Sequence, residues 1–291
     1  MVFKHIPVLL NEVTEYLNPQ PGKIYIDCTL GGAGHTEALL QKSQTQISKS
    51  KIYGFDLDKE ALQAAKDKLS RFDNIEYIQD NFKNIKNHIE EKVDGILLDL
   101  GVSSHQIDGP SRGFSIQKDG PLDMRMDQAT KLTAKEIVNN FRQEELQKIF
   151  KEFGEERFAH RIAKAIVRER TKENITTTGQ LKGIVEKAIP TWKKRESVTR
   201  IFQSLRISVN QELDNLKTAL IDAIDLLNTG GRLVVISYHS LEDRIVKHTL
   251  RNAAKDKRLT VLTKKPIYPQ EAETSSNPRA RSAKLRAGER I

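Results

Sequence analysis

A single cysteine and a single tryptophan stand in a chain of 291 residues, and aromatic residues make up only 6% of it. No apolar run approaches the roughly 18–20 residues that cross a bilayer, and Met1–Leu10 carries no signal-peptide pattern. One cysteine excludes a disulfide framework and any cysteine-built zinc centre. The seven histidines are scattered, with no pair at metal-ligand spacing, so no metal is expected. With 37% hydrophobic residues the chain can bury a core and is not of disordered composition. Its length fits one large domain, or one domain carrying a second. The expectation is a soluble, cytoplasmic protein with no membrane partner.

Charge is not scarce: 48 Lys+Arg against 39 Asp+Glu leave a net +9. Residues Arg244 to Ile291 hold thirteen of the cations and only four of the acids, so the rest of the chain sums to zero. Arg279, Arg281, Lys284, Arg286 and Arg290 are the densest part. A basic tail of this kind suits phosphate backbones, because neutralising phosphates releases counterions. A merely solvated face accounts for it equally well.

The first hundred residues alternate strand and helix signals. Ile24–Cys28, Ile52–Phe55, Ile75–Ile78 and Val93–Leu98 read as strands, with a helix over Lys59–Leu69 between the second and third. A fifth strand, Leu233–Ile236, follows the Gly230-Gly231 turn. Strands separated by helices predict a parallel, doubly wound sheet of the α/β class. More than a hundred residues separate strands four and five. They open with an irregular stretch from Gly101 to Asp127, of the kind that is usually functional. Helices are then predicted from capping boxes at Thr133/Glu136 and Thr177/Gln180 and from apolar spacing over Gln143–Phe153 and Glu155–Arg170. Arg157, Arg161, Lys164 and Arg168 form a basic stripe on the last of these. A single long helix is expected from about Thr199 to Leu227. The domain reading is therefore a core of residues 1–103 and 201–291 with an all-helical insertion of residues 104–200.

In a doubly wound sheet the ligand lies at the carboxyl ends of the strands, where the strand order reverses. Strand one runs into Gly31-Gly32-Ala33-Gly34-His35, where missing side chains let a ligand approach the backbone. Strand two ends at Asp56, placed to accept hydrogen bonds from ribose hydroxyls, and strand four at Asp99. After strand three, Phe82 can cover an adenine face. A dinucleotide needs G-x-G-x-x-G, and here the third glycine is replaced by Glu37, which sets an acid near the would-be phosphates. An adenosyl cofactor without phosphates fits better, with Asp27 available to a methionine ammonium. A nicotinamide dehydrogenase is a distant alternative.

S-adenosylmethionine carries its own electrophile, so the protein has mainly to align a nucleophile and take up a proton. Methylating a pyrimidine ring carbon normally needs a cysteine nucleophile, and Cys28 reads as a small buried hydrophobe packed beneath the cofactor. Nitrogen and oxygen acceptors remain open. Asp99, Ser103 and Ser104 are candidates to accept hydrogen bonds from an amine and let it pyramidalise. After strand five, Tyr238 and His239 are expected to point into the same crevice, with Ser240 capping the next helix. Ser237, His239 and Asp243 are too close in sequence to converge as a hydrolase triad, and no G-x-S-x-G elbow accompanies them.

These residues sit in longer blocks: HIPVLLNEV from His5, DCTLGGAGHT from Asp27, DGILLDLGVSSHQID from Asp94, RGFSIQKDGPLDMRMD from Arg112, GEERFAHRIAKAI from Gly154, TRIFQSLRISVNQEL from Thr199, GGRLVVISYHSLEDRIVK from Gly230 and NPRARSAKLRAGER from Asn277. Together they cover nearly the whole chain, which thereby resembles the MraW family, the bacterial small-subunit ribosomal RNA methyltransferases H. The resemblance implies a Rossmann-like class I methyltransferase sheet with an all-helical insertion between strands four and five, and S-adenosyl-L-methionine as donor. It implies as target the exocyclic N4 amine of a decoding-centre cytosine in 16S rRNA of the assembled small subunit. It places cofactor contacts on Ala33, Gly34, His35, Asp56, Phe82, Asp99 and Gln106. Cys28 and Ala33 stand where the family often has glycine, and His105 where proline is common. Another RNA or a protein acceptor, or a non-catalytic ribosome-assembly RNA binder, are the competing readings. The oligomeric state, a homodimer among the options, is left open.

Overall fold

The computed structural model describes residues 6–43, 49–102 and 109–291. The chain divides into two compact units, Met1–Gly101 with Leu213–Ile291, and Val102–Glu212.

The first unit is built on seven strands: β1 (Ile24–Asp27), β2 (Lys51–Asp56), β3 (Ile75–Gln79), β4 (Val93–Asp99), β5 (Leu227–Ser237), β6 (Leu259–Val261) and β7 (Lys284–Arg290). Their order is β3-β2-β1-β4-β5-β7-β6, so the chain reverses direction across the sheet between β1 and β4. The first five are parallel, as predicted, and the sheet is of the α/β class. β4 is buried on both faces because its apolar residues alternate between two cores. Ile96 and Leu98 enter one core and Leu97 the other, while β5 repeats the pattern with Leu233 and Val235 against Val234 and Ile236. On one face lie α10 (Glu212–Leu226) and α11 (Ser240–Lys255), through Leu216, Leu220, Val246 and Leu250. On the other lie α1 (Leu10–Leu17), α2 (Gly34–Ser43) and α3 (Lys59–Lys68), through Val13, Leu39 and Leu62. Each fully buried Leu or Ile contributes about 1.5–3 kcal/mol. Gly95 in the middle of β4 is demanded by this packing, since a Cβ there would stand 2.7 Å from the Tyr25 ring. A short turn, α4 (Ile85–His88), follows β3.

The C-terminal segment is not the loose basic tail expected from its charge. β7 lies between β5 and β6 and is antiparallel to both. Leu285 and Ala287 are fully buried, and Arg286, only 6% exposed, is paired to Asp243 at 2.6 Å. A short helix, α12 (Glu271–Ser276), precedes it. The charge count concealed a strand whose alternating residues Leu285 and Ala287 face the core.

The second unit is helical: α5 (Ala134–Asn140), α6 (Gln143–Glu152), α7 (Ala159–Arg170), α8 (Thr178–Ala188) and α9 (Lys194–Asn210). Both predicted capping boxes form, Thr133 with Glu136 and Thr177 with Gln180. α7 begins four residues later than expected, after Glu155 takes a left-handed conformation (φ 48°). The irregular stretch from Gly109 to Asp127 is pinned to this unit's core. Phe114, Leu122 and Met124 are buried there, and Asn210 holds the Met124 carbonyl and the Met126 N–H at 2.8 Å each.

The single helix expected from Thr199 to Leu227 is two. Gln211 adopts φ 52° and separates α9 from α10, and Arg206 clamps Glu212 with two bonds of 2.9 Å. The apolar stripe is continuous in sequence, but Phe202, Leu205 and Val209 belong to the helical unit's core and Leu216, Leu220 and Ile224 to the sheet's. The chain therefore returns to the first unit after Glu212, about a dozen residues beyond the expected boundary. No described helix is long and apolar enough to cross a membrane.

Deleting residues 277–291 should abolish cooperative folding rather than trim a flexible end, because it strips β7 from the sheet and bares the edge of β5. Urea unfolding followed by near-UV circular dichroism reads this directly; a sharp transition in the truncated chain would contradict it.

Candidate active site

The strand order reverses between β1 and β4, so their carboxyl ends diverge into the crevice where ligands of such sheets bind. Three carboxylates lie at the ends of the three neighbouring strands β2, β1 and β4: Asp56, Asp27 and Asp99. Their surroundings differ, and with them their roles.

Asp27 is 2% exposed and already satisfied. It accepts from the Thr36 hydroxyl at 2.7 Å and the Thr29 N–H at 3.1 Å, and burial raises its pKa. The sequence offered it to a cofactor ammonium; the structure gives it to Thr36, tying the end of β1 to α2. Cys28 beside it is buried, its thiol pushed well up by burial, which fits the packing role expected of it and not that of a nucleophile.

Asp56 accepts two backbone N–H groups, Gly31 and Asp58, at 2.8 Å each. Burial still pushes its pKa up to about 6, with the Asp58 and Asp27 charges adding to the rise. A carboxylate offers about four lone-pair sites, so Asp56 keeps capacity for the hydroxyls of a ribose.

Asp99 accepts the Tyr238 hydroxyl at 2.9 Å, and its backbone N–H donates to the Thr29 hydroxyl oxygen at 2.7 Å, fixing the end of β4 against β1. Burial pushes its pKa up to about 6, against the lowering effect of His35 and of the Tyr238 hydrogen bond. The Tyr238 phenol is driven well above its ordinary value by its own burial and by the Asp99 charge, so it stays a donor. Nε2–H of His35 donates to the Val8 carbonyl at 2.9 Å, which leaves Nδ1 facing Asp99 at 3.7 Å.

The glycine-rich turn contains two kinds of small residue. Gly31, with φ 47°, is open: a Cβ there would meet only the Thr29 carbonyl oxygen, at 3.8 Å. Gly34 is small because Pro7 packs on it, at 3.0 Å from where a Cβ would stand. Ala33 takes φ 55° and is fully buried, and the peptide N–H groups at the start of α2 follow it. His35 is 5% exposed, so its ring serves as a strut between Val8 and Asp99. Phe82 is half-buried after β3, packed against the sheet's core, in a turn capped by Asn81. Ser103, Ser104, His105 and Gln106 lie outside the described residues.

Past β5 the structure departs from expectation in the helix cap and agrees with it on the absence of a triad. The cap of α11 is His239, not Ser240, in a capping box with the buried Glu242. Asp243 is taken by Arg286, and Ser237 is 1% exposed, which removes the parts a hydrolase triad would need. The Tyr238–Asp99 bond was missed because it depends on register: Asp99 stands opposite Ile236, which brings the residue two further along level with the carboxylate. A tyrosine just past a strand neighbouring β4 was the only available signal.

An open backbone at Gly31, the carboxylates of Asp56 and Asp99 at strand ends and Phe82 after β3 are thus brought to one end of the sheet. Residues 2–291 match the MraW methylase family. The chain belongs to that family. It is 44% identical over 316 residues to the ribosomal RNA small subunit methyltransferase H of Clostridioides difficile, covering 100% of both chains. The protein of the same name from Finegoldia magna is 46% identical over 315 residues, again over 100% of both. Among solved structures, that of a candidate rRNA-methylase from Clostridium thermocellum is similar in fold, with a TM-score of 0.50 and 14% identity over 99% of this chain and 100% of that one. As a member of this methylase family the protein uses S-adenosylmethionine as its methyl donor.

A carboxyl whose pKa is raised by folding stabilises the fold fully below its unfolded value, and that contribution is lost as pH rises through the folded value. For Asp99 the window runs from 3.8 to about 6. Asp99→Asn should therefore stabilise the ligand-free protein at pH 7.5 by about 1–3 kcal/mol and change little at pH 3.5. Thermal melts at the two pH values check this, and an equal gain at both would assign the effect to packing.

Proposed function

We propose that the protein transfers a methyl group from S-adenosylmethionine to the exocyclic N4 amine of a decoding-centre cytosine in 16S rRNA of the assembled small subunit, in the cytoplasm. The observation that carries this reading is Asp99. Its carboxylate ends β4 at the reversal point, is held by Tyr238 at 2.9 Å, and has a pKa of about 6. Full-length identity to small-subunit rRNA methyltransferases supports the substrate, and the net +9 charge suits a polyanionic partner.

Asp56 would hold the ribose hydroxyls, the backbone of Ala33, Gly34 and His35 the methionine end, and Phe82 the adenine. Gln106 is assigned to the same contact set, and Ser103 and Ser104 to the acceptor. Bound there, S-adenosylmethionine supplies an electrophilic methyl group. What the chain must add is orientation and the handling of a proton. A ring amine is a weak nucleophile because its lone pair is delocalised, so a carboxylate that accepts its N–H bonds lets it pyramidalise toward the methyl. A group with a pKa near 6 is also placed to take up the proton released. Tyr238 would aim Asp99, and the unit Val102–Glu212 would recognise RNA.

Asp99→Ala should lower methyl transfer to small subunits from a deletion strain by at least about a hundredfold while leaving the fold intact. Tyr238→Phe should lower it less and raise the pKa seen in its pH profile, because a hydrogen bond to the ionised form is lost. Mass analysis of nucleosides from subunits treated with wild-type enzyme tests the acceptor: N4-methylcytidine supports the reading, and a methyl group on another nucleoside or on protein overturns it.

A further inference from the structure

We propose that the groove between α7 and α8 is a docking track for the sugar–phosphate backbone of the RNA substrate, held by charge and not by base identity; this rests on the reading that the substrate is ribosomal RNA. The groove has a volume of about 450 Å³ and lies within the helical unit. Arg161, Lys164, Arg168 and Lys172 line one wall and Lys187 the other, all exposed. The only carboxylate of the lining, Glu169, is already engaged by Arg168 and Lys172 at 2.9 Å each. Among the described residues, Arg161, Lys164 and Lys187 take part in no recorded ion pair.

Folding does not account for the two unpaired cations of α7. Arg161 stands in the first turn of α7, where the helix dipole disfavours positive charge, and Lys164 in the second, where the dipole gives it no support. The face of α7 that holds the unit together is the opposite one, with Ile162, Ala163 and Ile166 buried. From Arg161 to Arg168 the row runs about 10 Å along the helix at 1.5 Å per residue, one cation for each turn, and Lys172 continues it in the turn that follows. That spacing serves a linear polyanion better than a compact one.

The floor says how the RNA would be held. It consists of Ala165, Ile184 and Ala188. None of them can read a base edge, and no aromatic side chain offers a stacking platform. The contact is thus to phosphates and ribose. A lipid surface fits less well, because a membrane-binding helix turns its apolar face outward and that of α7 is in the core.

The test is the triple variant Arg161→Gln, Lys164→Gln, Lys187→Gln in the full chain. Its binding to small subunits from a deletion strain is measured between about 50 and 200 mM salt. The proposal expects binding weakened about tenfold or more at the lowest salt, and a log–log salt slope shallower by about 2 at roughly 0.7 per phosphate contact. The rate at saturating subunits and the affinity for S-adenosylmethionine should stay near those of the wild type. A variant with the same loss of charge elsewhere, Lys49→Gln, Lys59→Gln, Lys255→Gln, should keep the slope. An unchanged slope in the groove variant, an equal loss in the control, or wild-type binding to anionic vesicles but not to subunits would each overturn the proposal. If the wild type leaves subunit RNA unmethylated, the functional reading fails and this assignment with it. If the wild type methylates and the groove variant behaves like it, the groove proposal alone fails.

Discussion

The structure turns on holding three carboxylates at the ends of three neighbouring strands. Asp56, Asp27 and Asp99 are all buried enough to have raised pKa values, and the Asp27 charge adds to the rise at both of the others. Such a cluster is unfavourable by itself, because each ionised group disfavours the next in a poorly solvated place. Hydrogen bonds relieve each of them in part: Asp27 from Thr36 and Thr29, Asp56 from the Gly31 and Asp58 N–H groups, and Asp99 from Tyr238. On the proposed function, a ligand with hydroxyl donors and positive charge, such as an adenosyl sulfonium, would complete Asp56 and Asp99, and the electrostatic cost of the cluster and the affinity for that ligand would then have one origin.

That cost is tolerable because the scaffold is rigid. β4 and β5 place alternate residues in two separate cores, so neither strand can slip by one residue without exchanging its faces. Register then pairs Asp99 with Ile236, which brings the Tyr238 hydroxyl to the carboxylate, and Thr29 fixes the end of β4 against β1. His35 couples the same carboxylate to the N-terminal segment through Val8. Packing far from the crevice therefore decides the protonation chemistry within it.

The parallel strands, the capped helices and the carboxylates at strand ends were legible in the sequence because each has a local cause: apolar runs, capping boxes, and polar residues where a run stops. What was not legible is non-local. β7 has the charge of a tail, and only pairing with β5 reveals that Leu285 and Ala287 face a core. The stripe from Phe202 to Ile224 keeps helical period across Gln211, and nothing local says that its two halves serve different cores. In the site, Gly31 and Gly34 look alike in sequence, yet one faces open space and the other Pro7. His239 resembled a crevice residue because histidine is an uncommon cap, and Glu242 three residues on was the sign of its true role.

The basic charge divides the same way, and its division bears on how RNA is engaged. In the C-terminal segment, where the excess is densest in sequence, Arg286 is buried against Asp243 and Arg290 donates to the Arg258 carbonyl. These cations are committed to holding β7 in place, and a committed guanidinium releases few counterions on meeting a phosphate. On α7 and α8 the count is smaller, but Arg161, Lys164 and Lys187 are exposed along a groove, and Arg161 works against the dipole of the helix that carries it. Density in sequence is therefore a poor guide to an RNA surface. Cations that the fold does not use are the better one, and the groove between α7 and α8 carries three of them.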